Sequence, residues 1–203
     1  MAPLLVLASA SPRRAELLRN LGLSFAIMPS DVEEQFDHSV DPGRLAVEIA
    51  QKKAQAVASK LKAELGLTGS GQVVVIGADT IVVKDGNALG KPGSKQEAIK
   101  MLSLLSGQVH EVYTGVALIG LPLEEIKTCW SMSKVKFRAL EPAEVEAYVE
   151  TGEPMDKAGS YALQGAGAAF IDSVTGSHTN VIGLPIPPLV TQLRKLGVKV
   201  LGL

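Results

Sequence analysis

The chain has 203 residues, 20 Lys and Arg against 21 Asp and Glu, a formal charge of -1 at pH 7 and one cysteine, Cys129. This length suits one domain, or one domain with two lobes, around a substantial core, and the balanced charge excludes a polyanion footprint spread over the whole surface. One cysteine excludes an internal disulfide or a cysteine-rich metal cage; with no basic leader and no long apolar run, the expectation is a cytoplasmic protein that binds neither membrane nor nucleic acid.

Strand-like and helix-like segments alternate, which predicts an α/β architecture. Leu4 to Ala8 read as a buried strand, followed by a helix with Ser11 as N-cap and Pro12 in its first turn, where a missing N–H costs nothing. Phe25 to Met28 make a short strand. A long helix runs from Pro42, behind an Asp41 N-cap, to about Leu65, with Leu45, Ile49, Ala50, Lys53, Ala54, Val57, Ala58 and Leu61 at helical spacing. Val73 to Ile76 form an apolar strand that delivers Gly77-Ala78-Asp79-Thr80 at its C-terminal end, and Ile81-Val82-Val83, Asp85-Gly86 and Ala88-Leu89 make a hairpin. Ser94-Lys95-Gln96-Glu97 has capping-box spacing and opens a helix to about Leu105. Strands follow over Val109 to Leu121 and Lys127 to Phe137, then a helix from Glu141-Pro142 to near Gly152. The remainder reads as loop through Ala166, strand near Ala168 to Val174, helix from about Pro187 to Leu196 and a last strand over Val198 to Leu201.

Two features carry chemistry. Where the first strand becomes a helix, Ser9, Ser11, Arg13 and Arg14 converge on free backbone amides and a positive dipole end, an address for phosphate; a capped surface helix with solvated arginines is the plainer alternative. Asp79, a carboxylate leaving an apolar strand, sits where ligand crevices of open α/β sheets lie, or else caps a turn. Glu33 and Glu34 could join it around a hard cation. Lys53 falls on the apolar stripe of its helix, so its ammonium either snorkels to solvent or meets an anion. Lys91, between Gly90 and Pro92, sits on a partly fixed backbone. Asp156 and Lys157 could form a local ion pair. The glycines of Gln164-Gly165-Ala166-Gly167 precede a strand instead of following one, so they read as a turn allowing close approach of ligand or backbone, and not as a dinucleotide loop. His38, His110 and His178 have no metal-ligand spacing, and Cys129 has no evident catalytic histidine.

Taken together, Leu7-Ala8-Ser9-Ala10-Ser11-Pro12-Arg13-Arg14, Gly77-Ala78-Asp79-Thr80, Gly90-Lys91-Pro92, Leu105-Ser106-Gly107, Thr114-Gly115-Val116, Gly152-Glu153-Pro154-Met155-Asp156-Lys157-Ala158-Gly159 and Asn180-Val181-Ile182-Gly183-Leu184-Pro185 resemble, in order and over nearly the whole chain, the Maf family of nucleotide pyrophosphatases. The resemblance implies a single Maf-like domain over residues 1–203, a mixed sheet with flanking helices in two lobes around an active-site cleft, as in inosine triphosphate pyrophosphatases. It implies hydrolysis of a nucleoside triphosphate to monophosphate and pyrophosphate with a divalent cation, for which hard oxygen ligands favour Mg²⁺ or Mn²⁺ over zinc, and by analogy a homodimer. Position by position, Asp79 matches the family's catalytic acid-base residue. Arg13, Thr80 and Gln164 match specificity positions, and Ser9, Arg14, Glu34, Lys53 and Lys91 match other cleft residues. Glu34 would share the cation with Asp79. Tyr161-Ala162-Leu163-Gln164-Gly165 is similar to the branch acting on dTTP and UTP, and a carboxamide suits the imide edge of thymine or uracil because it both donates and accepts. The rival expectation is a non-catalytic nucleotide sensor that inhibits septum formation through a protein partner.

Overall fold

The near-continuous apolar runs at Leu5-Val6-Leu7 and Val73-Val74-Val75-Ile76 become neighbouring parallel strands, as residues buried on both faces of a sheet require. The computed structural model describes residues 3–32, 40–65 and 72–202. In chain order it contains β1 (Leu4–Leu7), α1 (Pro12–Asn20), β2 (Phe25–Ile27), α2 (Pro42–Leu65), β3 (Val73–Lys84), β4 (Asn87–Leu89), α3 (Lys95–Leu105), β5 (Val109–Leu121), β6 (Glu125–Phe137), α4 (Pro142–Glu150), β7 (Ile171–Thr175), α5 (His178–Ile182) and α6 (Ile186–Lys195). The seven strands form one mixed sheet in the order β2-β1-β3-β5-β6-β7, with β4 added to β3. β1 runs parallel to β2 and β3, whereas β3 with β4 and β6 with β7 are antiparallel. The α/β expectation holds.

Two compact units share these elements. The first comprises Met1–Asp79, Thr114–Ser131 and Gly183–Leu203; the second comprises Thr80–Tyr113 and Met132–Ile182. In the first unit, α2 lays Ala50, Ala54, Val57, Ala58 and Leu61 against Val73 and Val75 of β3 and Ala117 and Ile119 of β5. Two strand glycines make that seat possible. A Cβ at Gly77 would lie 2.1 Å from the Ala50 carbonyl oxygen, and one at Gly115 would lie 2.3 Å from the Ala46 carbonyl carbon. Ala46 and Ala50 are four apart, one turn of α2, so at these two points the helix backbone rests directly on the strand backbone. The second unit is built around Leu102 and Leu105 of α3, Val145, Tyr148 and Val149 of α4, and Phe137, Tyr161 and Phe170.

Local signals place several elements as expected. The Arg44 amide donates to Asp41 Oδ1 at 3.0 Å, fixing the start of α2. Asp85 and Gly86 take positive φ, 50° and 77°, in the β3–β4 turn, the geometry a two-residue hairpin favours. Ser94 Oγ accepts from the Glu97 amide, but the Glu97 carboxylate accepts from the Gly93 amide, one residue before the expected capping-box partner.

Four expectations need correction. Gly77-Ala78-Asp79-Thr80 is not the end of a strand: β3 continues without a break from Val73 to Lys84, because Gly77 gives way to a helix backbone and not to a turn. The stretch taken as loop through Ala166 contains 3₁₀ turns at Glu153–Asp156 and Ala158–Ser160, and a third, Ala166–Phe170, delays the next strand to Ile171. Asn180 marks a short helix, α5, that the sequence reading passed over, although the Asn180 amide meets Ser177 Oγ in a recognisable capping arrangement. Val198 to Leu201 alternate between buried and exposed as a strand would, yet form no strand; Gly197 and Gly202 bracket them in left-handed conformations.

Candidate active site

Side chains two apart on a strand share a face. Gly77 faces α2, so Asp79 does too, and the α2 residue that meets it is Lys53, three positions beyond Ala50. Lys53 Nζ donates to Asp79 Oδ1 at 2.6 Å, with the two residues only 7% and 2% exposed. The question of what becomes of an ammonium on an apolar helix stripe is thus answered: it meets an anion inside the unit. The pair lies just beyond the point where β1 leaves the sheet, since the Ala8 amide still donates to the Ile76 carbonyl at 2.8 Å and the chain then turns away at Ser9. Asp79 therefore lies near the carboxyl end of β1, although it is in mid-strand in β3.

Ser9 is nearly buried, and its hydroxyl organises the first turn of α1. Its Oγ accepts from Arg14 Nη1 at 3.1 Å and from the Ser11 amide at 3.3 Å, while Arg14 Nε donates to the Gly183 carbonyl at 3.0 Å. Ser11 occupies the N-cap position but makes no side-chain capping bond, contrary to its expected role, because the Ser9 hydroxyl takes its amide instead. Arg13 is half-exposed on the same turn. Anions are favoured at such a helix start by free amides, the helix dipole and a guanidinium fork.

Thr80, Lys91 and Gln164 belong to the second unit. Thr80 follows Asp79 directly in β3 and is half-buried; Lys91 is exposed just after β4. The Gly159 amide donates to the Gly90 carbonyl at 3.1 Å, which ties the Lys91 segment to the segment leading to Gln164. Gln164 Oε1 is buried without a hydrogen-bond partner among the described residues, an acceptor available to a ligand donor. Glu34 lies outside the described residues, as do Glu33 and His38. Lys157 does pair with Asp156 and also donates to the Glu153 carbonyl at 2.7 Å.

Three supporting residues carried little weight in the sequence reading. His110, 1% exposed, places Nε2 2.8 Å from the Tyr161 hydroxyl, and burial together with the nearby Lys84 charge lowers its pKa to about 4. Tyr161 packs edge-on against Phe137 at 4.9 Å between ring centroids, and burial, then Tyr148, holds its phenol well above the usual range. Glu153 accepts from Tyr148 and from two backbone amides next to Gln164. Cys129 is half-buried, and burial raises its thiol to about 11, so it is not a nucleophile poised for neutral pH. Among the described residues no group of three or more His, Cys, Asp or Glu side chains is placed to hold a metal ion.

The profile of the family described as Maf-like protein matches residues 4–196. The chain belongs to the Maf family. Among its Maf relatives, a dTTP/UTP pyrophosphatase of Desulforamulus reducens is 47% identical over 97% of this chain and 98% of its own length. Similarly named proteins of Moorella thermoacetica and Pelotomaculum thermopropionicum are 46% and 45% identical, with 97–98% of each chain covered. A solved Staphylococcus aureus Ham1 protein aligns over 66% of this Maf chain and 71% of its own with a TM-score of 0.38 and 14% identity, too slight a likeness to bear on function.

Proposed function

We propose that this chain hydrolyses dTTP and UTP to the nucleoside monophosphate and pyrophosphate, water attacking the α-phosphorus. The observation that carries the proposal is the buried Lys53–Asp79 pair, set just past the carboxyl end of β1, the strand that leads into the Ser9-to-Arg14 turn. The naming of full-length relatives at 45–47% identity supports the substrate class. A carboxylate among phosphate-binding cations gives a pure triphosphate binder little, but it gives a hydrolase a group that can orient or deprotonate water.

In this reading Asp79 accepts the water's proton, and Lys53 keeps it ionised for that task. Arg13, Arg14, Lys53 and Lys91 offset the triphosphate charge, which grows on the leaving pyrophosphate as the P–O bond breaks. Ser9 fixes Arg14, and the α1 amides donate to phosphate oxygens. Gln164, helped by Thr80, reads the base: its amide donates to a carbonyl of uracil or thymine while Oε1 receives the ring N–H.

The donor set is compatible with a hard divalent cation. Asp79 is a carboxylate, and Mg²⁺ characteristically uses one or two carboxylates, waters and substrate phosphates in place of an all-protein cage. Asp79 would hold the ion with the triphosphate, Glu34 being the second carboxylate of the proposal, and the ion would supply further stabilisation of phosphoryl charge.

No helix among the described residues is long and apolar enough to cross a membrane, and a cytoplasmic setting is part of the proposal. The deciding experiment incubates purified protein with Mg²⁺ or Mn²⁺ and a panel of UTP, dTTP, CTP, GTP and ATP, and measures pyrophosphate and monophosphate. The expected outcome is equimolar release of both products, fastest from UTP and dTTP. Tight nucleotide binding without turnover would overturn the proposal in favour of a sensor.

A further inference from the structure

We infer that Glu153 is a positioning residue that sets substrate preference by clamping the turn that carries Gln164. The inference rests on the reading of Gln164 as the residue that recognises the base.

The turn after Gln164 has little internal reason to hold its shape. Gly165 takes φ 111° and ψ −161°, a conformation that residues with a Cβ avoid, and no helix or strand begins until Ala166. Beside the Ala168 amide's bond to the Gly165 carbonyl at 3.2 Å, one carboxylate braces it from outside. Glu153 Oε2 accepts from the Ala166 amide at 3.1 Å, and Oε1 accepts from the Gly167 amide at 3.2 Å and from the Tyr148 hydroxyl at 2.8 Å. Tyr148 itself stands on α4 with its ring edge-on to Phe170, so the clamp is anchored in the core of the second unit. Burial pushes the Glu153 carboxyl upward, but the bonds from Tyr148, Ala166 and Gly167, with the Lys157 charge, outweigh it and leave the group below its usual value.

The fit allows no slack. A Cβ at Gly165 would lie 2.7 Å from Glu153 Oε2, and a Cβ at Gly167 would lie 2.7 Å from both the Tyr148 hydroxyl and the Ala162 carbonyl oxygen. Each glycine therefore admits the clamp as well as the turn. On the other side of Gln164, the Tyr161 hydroxyl is held by His110. Gln164 is thus suspended between two fixed points, three residues after one and two before the other, with its Oε1 buried and without a hydrogen-bond partner among the described residues. A carboxamide can distinguish an imide edge from a guanine edge only if its amide plane is fixed, because a free rotation would exchange donor and acceptor.

The test compares kcat/KM for UTP and GTP in the wild type, Glu153→Gln, Gln164→Ala and the double variant. Glu153→Gln keeps the shape but turns an NH₂ group toward one of the donors the carboxylate served. The expected result is a loss of about tenfold for UTP, chiefly as a higher KM, with GTP changed less than about threefold. In the Gln164→Ala background the same substitution should leave the UTP/GTP ratio unchanged, since residues acting as one unit are not additive. Equal losses on both nucleotides, or an unchanged ratio, would overturn the clamp as a determinant of preference. Should Glu153→Gln not fold, as judged by circular dichroism, Tyr148→Phe removes one of the three bonds and should lower the ratio by about threefold; no change there overturns the inference. If Gln164→Ala itself leaves the ratio intact, base reading by Gln164 has failed and the clamp falls with it. If Gln164→Ala lowers the ratio and Glu153→Gln does not, the clamp alone has failed.

Discussion

The two units bury polar groups in opposite electrical states. The first places a charged pair, Lys53 and Asp79, against an apolar helix–sheet layer; the second places a neutral pair, His110 and Tyr161, among aromatic rings. Both pairs are almost inaccessible, yet desolvation acts on them differently. An ammonium and a carboxylate 2.6 Å apart offset each other's burial, whereas among the described residues no carboxylate hydrogen-bonds His110, and burial with the nearby Lys84 charge lowers its pKa to about 4. The difference separates two tasks. Reactive charge is kept where phosphate chemistry is proposed, and neutral polar contacts stiffen the segment that leads to Gln164.

The sharpest way to break this contrast is Lys53→Met. Asp79 would then have to remain charged in the core without its ammonium or bind a proton. We expect a loss of about 3–5 kcal/mol in urea unfolding at pH 7. A loss below about 1 kcal/mol, as for an exposed pair, would show that the ion pair is solvated and the distinction between the units false.

The second unit should depend on pH through His110. Unfolded histidine takes up a proton near pH 6.5, but folded His110 does so only near pH 4. Across that window the unfolded chain binds more protons, so the His110 contribution is complete above pH 6.5 and is lost as the pH falls toward 4, by roughly 3 kcal/mol at most. The check is the stability of wild type against His110→Gln at several pH values: the variant should lack this component of the slope. Parallel slopes in the two proteins would mean that His110 titrates normally in the fold.

The same contrast explains what could be read from sequence. Local rules sufficed for α2, because Asp41, Pro42 and an apolar stripe are contiguous signals, and for the Asp85-Gly86 hairpin. The strand-to-helix turn at Ser9 to Arg14 was legible for the same reason, though the division of labour between Ser9 and Ser11 was not. Asp79 could be singled out as a polar group in an apolar strand, but Gly77-Ala78-Asp79-Thr80 mimics a strand end. That Gly77 instead admits the Ala50 backbone depends on how α2 docks, which no local window contains. The Lys53–Asp79 contact follows from that docking and was therefore visible only as a lysine in need of an anion. Glu153 was visible only as one member of a family motif, because its partners include backbone amides 13 and 14 residues away, and amides carry no sequence signal.

The central claim is that the buried carboxylate at position 79 performs the chemistry. The measurement that tests it most directly is pyrophosphate release from UTP by Asp79→Asn, with circular dichroism and urea unfolding showing that the variant is folded. The carboxamide keeps the volume of the side chain but cannot accept the proton of water. The account predicts kcat/KM lower by about 10²- to 10⁴-fold, the contribution expected of a general base. Near-wild-type turnover by the folded variant would contradict it.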